Sequence, residues 1–331
     1  MEVSRTAVVL CLVALAAMVA YPFVASDFGI ALATKILVYA ILALSLELLV
    51  GQAGLVCFGQ AAFFGIAAYA TVRFSPEYDA AAIWWLLPAA VAASAAFALL
   101  TGALSLRTRG VYFIMVTLAF SQMAYYVIHD TPVGGGTDGI YLNVPPSVAL
   151  GSTQLVDLSD PAQFYYVALA ALVACFGLLA VVLRSRFGRA IAGIRVNEQR
   201  MLAAGFPTYP YQLAAFVLSG AIAGVAGFLF AVKDGFVNPE LLSWHLSGAA
   251  LVMIILGGLG HLRGAVIGAF ALSLLEELFQ SRELMGDFSD HWHLGLGASI
   301  IACVALLPRG LIGLPQVLRA RLVGARQAVS R

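Results

Sequence analysis

The sequence predicts an all-α, polytopic membrane protein of about eight to ten transmembrane helices, with broken or re-entrant segments and a possible inverted repeat. Three observations carry this expectation. The 331 residues are 62% hydrophobic and 11% charged, with a mean hydropathy of +0.96. Soluble domains are nearer half apolar and a quarter charged, so the solvent for this much apolar surface is lipid. Apolar runs close to the roughly 20 residues that cross a bilayer recur along the chain. The cations are also sorted by loop: with the N-terminus inside, fourteen of the eighteen Lys and Arg fall on the cytoplasmic side, as the positive-inside rule requires.

The apolar runs cover roughly 7–25, 30–50, 53–72, 82–105, 111–129, 162–183, 211–232, 244–260, 263–281 and 293–307. The first could pass for a signal peptide, with Arg5, an apolar stretch and then Ala25-Ser26. It is also long enough to span, and a retained N-terminal helix within 1–29 is expected. The third and eighth runs are short and Gly-rich, which marks them as broken or re-entrant. The second and third runs, like the seventh and eighth, read as a long helix, a Gly- or Pro-bearing linker and a short Gly/Ala-rich helix. Inverted repeats of this kind meet near a transport pathway; close packing of small residues is the alternative reading. A long outer loop, His129–Pro161, holds "TPVGGGTDGIYLNVPP", against regular helix. The core from 30 to 314 and a basic cytoplasmic tail, 315–331, complete a single membrane domain, with both termini expected inside.

Little here suggests catalysis. The four cysteines, Cys11, Cys57, Cys175 and Cys303, lie far apart in apolar runs and read as packing residues. Glu276 and Glu277 are adjacent and cannot share a helix face. His291 and His293 lack a third ligand at metal spacing, so no metal or cofactor is expected. There is no GxxxxGK[ST] phosphate loop, so ATP, if used, is bound by another chain. Polar residues inside apolar runs are candidate pathway liners: Glu47, Gln52, Gln60, Thr117, Ser121 and Gln122. Thr117 and Ser121 are four apart and share a helix face.

The densest cationic stretch is the internal loop 184–210. Arg189–Ala204 predicts a helix about 24 Å long, with Ser185 as its cap and Gly205 ending it before Pro207. It reads in three ways: a solvated topogenic loop, a helix lying on anionic lipid, or a docking helix for a cytoplasmic partner. In the docking reading Ile194 and Met201 would be buried anchors, with Arg195 and Glu198 at the rim.

The blocks "ALSLELLVGQAGLVCFGQAAFFGIAAY" (43–69), "RTRGVYFIMVTLAFSQM" (107–123), "GGTDGI" (135–140), "FGRAIAGIRVNEQRMLAAGF" (187–206) and "LVMIILGGLGHLRGAVIGA" (251–269) follow one another in order. Together the series resembles the branched-chain amino-acid permeases of ABC transporters. The resemblance implies a second homologous permease, two cytoplasmic ATP-binding subunits and a periplasmic solute-binding protein as partners, in a bacterial inner membrane. It makes Gly188, Arg189, Ile194, Arg195, Asn197, Glu198, Met201 and Gly205 part of an ATPase-coupling loop. Such permeases commonly carry Asn at the position of Glu47 and His at that of Gln60. Glu47 either faces the pathway or is a solvated end group, the simpler reading from its place just before Gly51. The expected function is import of branched-chain or other small amino acids by a subunit that is not itself an enzyme. A urea or amide permease of the same architecture and a self-sufficient secondary transporter are the alternatives.

Overall fold

The computed structural model describes residues 13, 15–76, 78–150, 153–281, 285–286, 291–307 and 310–314. The basic tail 315–331 and the start of the N-terminal helix lie outside the described residues. Residues 15–20 are helical. They are held by the hydroxyls of Tyr165 and Tyr166, which donate to the carbonyls of Met18 and Val19 at 2.8 and 3.1 Å.

Helix α1 spans Asp27–Glu47, where Ser26 caps it by accepting from the Gly29 N–H. It then widens into a π-helix, Leu48–Ala53, ended by Gly54 at φ 74°. Next come α2 (Gln60–Phe74), α3 (Ile83–Ser105) and α4 (Val111–Asp130). Short strands β1 (Ile140–Tyr141), β2 (Val148–Leu150) and β3 (Thr153–Val156) follow, then α5 (Pro161–Arg184). Two short helices, α6 (Arg186–Val196) and α7 (Glu198–Ala203), lead into α8 (Thr208–Asp234). Strand β4 (Phe236–Val237) and a turn at Pro239–Leu242 precede α9 (Trp244–Gly257), α10 (Leu262–Gln280) and α11 (Trp292–Leu306).

Five described helices are long and apolar enough to span: α1 with its π-helical end, α3, α4, α5 and α8. The α9–α10 pair, bent by 114°, is a sixth candidate or a re-entrant turn. The first of the ten apolar runs lies partly outside the described residues, and three of the others are short. Helices α2, α9 and α11 have 14 or 15 residues, about 21–23 Å at 1.5 Å per residue, against a hydrocarbon core of about 30 Å.

Two helices form the centre. The apolar windows of α1 and α8 are 67% and 72% buried, against 22%, 17% and 28% for α3, α4 and α5, which surround them. The packing is reciprocal. Helices α2 and α3 lie on α8, helices α9 and α10 lie on α1, and α1 lies on α8. Each long helix thus carries the short helix of the other half. Glycine permits the closest approaches. A Cβ at Gly227 would stand 2.0 Å from the Phe64 carbonyl oxygen, and one at Gly220 would stand 2.4 Å from the Ala98 Cβ, the small-residue packing of membrane helices.

The outer loop is pinned to the second half. Strand β1 pairs antiparallel with β4, Ile140 opposite Val237. Gly139 makes this possible: its φ is 71°, and a Cβ would lie 2.3 Å from the Val237 oxygen.

Candidate functional site

The two half-helices begin at one place. Gln60, the first residue of α2, donates from Nε2 to Ser45 Oγ at 2.6 Å and to Ser219 Oγ at 3.0 Å. Ser219 is the twelfth of the 27 residues of α8, so α2 starts beside the middle of that helix. Ser219 Oγ donates to the Ser45 carbonyl at 2.7 Å, and Ser45 Oγ to the Leu42 carbonyl at 2.6 Å. The next residue of α2, Ala61, donates its N–H to Ser247 Oγ in the first turn of α9 at 2.9 Å. From this junction α2 runs toward the outer loop. Helix α9 runs the other way, and beyond it Gln52 Nε2 donates to the Gly260 carbonyl at 3.0 Å. Neither half-helix is capped by the side chain of its own N-cap residue.

Helix α4 closes the junction. Thr117 Oγ1 accepts from the Phe58 N–H at 3.3 Å and donates to the Ile114 carbonyl at 2.9 Å. Ser121 Oγ donates to the Leu242 carbonyl at 3.2 Å. Thr117 and Ser121 share a face, as their spacing predicts, and line a crevice with Gly59, Phe63, Phe97, Phe120 and Phe216 that is too tight for water. Gln122 sits half-buried on the adjoining face, its Nε2 without a hydrogen-bond partner. Gln60 is not in the crevice. It is fully buried among α1, α2 and α8, with Oε1 unsatisfied.

Open grooves lie at both ends. One of about 520 Å³ is bordered by Leu55, Val56, Arg109, Phe113, Arg195 and Glu198. The other, of about 480 Å³, is bordered by Arg73, Ser75, Pro132, Gly139 and Tyr141.

Glu47 departs from its simpler expectation. It is 0% exposed, not a solvated end group. Its carboxylate lies over Gly51, where a Cβ would come within 1.9 Å of Oε1. Gln52, Gly260, His261 and Arg195 surround it, yet neither carboxylate oxygen has a partner in hydrogen-bonding geometry.

The loop 184–210 also differs from its expected form. Ser185 does cap α6, accepting from the Gly188 N–H at 3.4 Å. Gly188 lets the chain turn there, since a Cβ would meet the Leu183 oxygen at 2.3 Å. The single helix expected over Arg189–Ala204 is two, because Asn197 at φ −160° leaves helical geometry and its Oδ1 caps α7 by accepting from the Arg200 N–H at 2.9 Å. Gly205, at φ 83°, follows α7. Ile194, expected to project outward, is 4% exposed within its own chain. Met201 folds onto Gly193, where a Cβ would lie 2.8 Å from its sulfur. Arg195 Nη1 donates to the Gly51 carbonyl. Glu198 lies 3.4 Å from Arg109 and accepts from Thr208 Oγ1 at 3.1 Å. Arg189 is exposed. The large apolar side chains left outward include Val196, Leu202 and Phe206, at 82%, 43% and 41% exposure.

Sequence reasoning passed over Ser45 and Ser219. Their only signal is an isolated hydroxyl in an apolar run, which also describes many packing serines. Among the described residues no three His, Cys, Asp or Glu side chains gather as a metal site requires.

Residues 28–288 match the family described as branched-chain amino acid transport system / permease component. The high-affinity branched-chain amino acid transport system permease protein LivM of Salmonella typhimurium is 33% identical over 314 residues, 89% of this chain and 72% of its own. The protein of the same name from Escherichia coli is 33% identical over 313 residues, with the same shares. The permease protein LivH of Salmonella typhimurium is 27% identical over 168 residues, 51% of this chain and 53% of its own. No solved structure matches.

Proposed function

The chain belongs to the branched-chain amino acid transport permease family, and from that premise we propose that it is the membrane-spanning permease subunit of an ABC importer for branched-chain or other small amino acids. The observation that carries the reading is the junction where α2 and α9 begin. Interrupted helices that meet beside the middle of a long helix are the architecture of a translocation site. The positive ends of their dipoles meet there and suit the carboxylate of an amino-acid zwitterion. The crevice of Thr117 and Ser121 is then the closed section of the path, and the two grooves are its mouths.

ATP is hydrolysed by two partner subunits on the cytoplasmic face, which is the face of loop 184–210 by its arginines. That loop, through α6 and α7, is the coupling element. Gly188 and Gly205 set its turns, Asn197 its break, and Arg189 its charge. The exposed Val196, Leu202 and Phe206 are the docking anchors, in place of Ile194 and Met201. A second, homologous permease and a solute-binding protein complete the complex.

The test is co-reconstitution of the complex in proteoliposomes with ATP inside and loaded binding protein outside. Radiolabelled leucine accumulates in an ATP-dependent manner, and a Thr117→Trp subunit, which fills the crevice, abolishes accumulation while the complex still assembles. Accumulation of urea but not leucine would contradict the substrate class. Accumulation without ATP would contradict the transporter class.

A further inference from the structure

We infer that Arg195 is a latch that transmits movement of α6 to the broken end of α1, with Glu47 as the second acceptor its guanidinium takes up. The inference rests on the coupling role proposed above for loop 184–210, and it assigns that role's inward half to one side chain.

The end of α1 is built to receive this side chain. A helix end leaves its last carbonyls without partners, and a π-helical end widens the gap between them. Here the N–H groups of Gly54 and Leu55 both turn back to Leu49, and the Gly51 carbonyl accepts from Arg195 Nη1. Glycines clear the approach. Gly54 takes the left-handed conformation that ends the π-helix, and a Cβ there would lie 3.0 Å from Arg195 Cγ, so the stem of Arg195 crosses the chain at that point. The position of a Cβ on Gly260 is 4.0 Å from Nη1 and 3.9 Å from the Gly51 oxygen. Gln52 ties the same end to Gly260. One side chain of α6 therefore touches the interrupted helix of the first half and adjoins the bend between α9 and α10 in the second.

A topogenic arginine does not explain this. Positive-inside sorting needs charge in the loop, not a stem laid over a left-handed glycine and a head on a buried carbonyl. A bound inorganic cation is not needed either. A carboxylate beside the carbonyls of Gly51 and Gly260 would suit one, but the guanidinium already supplies the positive charge.

The second position follows from Glu47. A carboxylate fully buried in a membrane helix is costly unless it is closely paired. Although Glu47 stands four residues before Gly51 in the chain, its carboxylate lies over Gly51 and already among the groups around Arg195. Arginine presents several donors on a long stem and binds carboxylates in a forked geometry. A small displacement of α6 would therefore exchange the Gly51 carbonyl for the Glu47 carboxylate. It would release the π-helical end while giving the buried carboxylate a direct charged partner.

The experiment uses the full complex in proteoliposomes with its binding protein, reading subunit retention, ATP hydrolysis and uptake together. Arg195→Met is expected to keep the ATP-binding subunits attached and hydrolysing. Uptake per ATP hydrolysed falls by on the order of tenfold, the scale of ordinary coupling between sites. Glu47→Gln, which removes the second acceptor's charge, moves the same ratio in the same direction. Arg195→Lys restores part of it. Release of the ATP-binding subunits from the Arg195→Met complex would make Arg195 a docking residue and overturn the latch. An unchanged ratio in Arg195→Met, or in Glu47→Gln, would overturn it as well. The docking role of the loop is read separately: Val196→Asp detaches the subunits if the outward face binds them. If it does not, the coupling reading fails while the Arg195 ratio still stands as measured.

Discussion

Gln60 directs its amide to two serines on two different long helices, and both serines pass hydrogen bonds on to backbone carbonyls. A hydrogen bond between buried polar groups contributes modestly when made, and more is lost when one partner is removed. Gln60→Ala leaves a gap where α1, α2 and α8 meet, and should lower the stability of the purified subunit by about 1–3 kcal/mol. The check is the thermal unfolding midpoint in detergent, which should fall; an unchanged midpoint would mean the amide is dispensable there. The sequence marked Gln60 and Glu47 as polar residues in apolar runs, but not their surroundings. Burial of Glu47 depends on Gly51 being bare enough to lie beneath its carboxylate, and the role of Gln60 depends on Ser219, 159 residues away. Such contacts join remote parts of the chain and leave no local pattern.

At the scale of elements, α6 and α7 show which part of an amphipathic pattern is readable. The cap at Ser185 and the end near Gly205 were legible because capping chemistry is local. The break at Asn197 was not foreseen, since Asn within a helical pattern is only mildly unfavourable. Once the helix breaks, the faces beyond the break rotate, and Met201 turns onto Gly193 while Leu202 turns outward. This separates two kinds of apolar residue in one loop. Ile194→Ala empties a packed site and should cost about 2–5 kcal/mol of stability. Leu202→Asp changes an exposed position and should leave the unfolding midpoint unchanged, yet the ATP-binding subunits should no longer co-purify. Retention of those subunits by the Leu202→Asp variant would remove Leu202 from the docking face.

For the molecule as a whole, the reciprocal packing of two halves is the organising fact. The order of long helix, linker and short helix was readable twice in the sequence because Gly, Pro and run length are local signals. The crossing was not readable. That α2 lies on α8 and α9 on α1 is a property of how the halves meet, and the similarity between their residues is too weak to reveal it. Nor do the short runs declare themselves, since an apolar run of 14 or 15 residues looks like a short span until its start is found at the centre of the fold. The central claim is that solute crosses at the junction where α2 and α9 begin, which requires those starts to part in each transport cycle. The direct measurement joins them. In a subunit whose native cysteines are replaced, Ala61→Cys with Ser247→Cys is closed by a short thiol cross-linker, and leucine uptake into proteoliposomes is followed before and after cleavage of the link. Uptake should be lost when the link forms and return when it is cut, with neither single cysteine showing the effect. Full uptake through a completely cross-linked subunit would contradict the account.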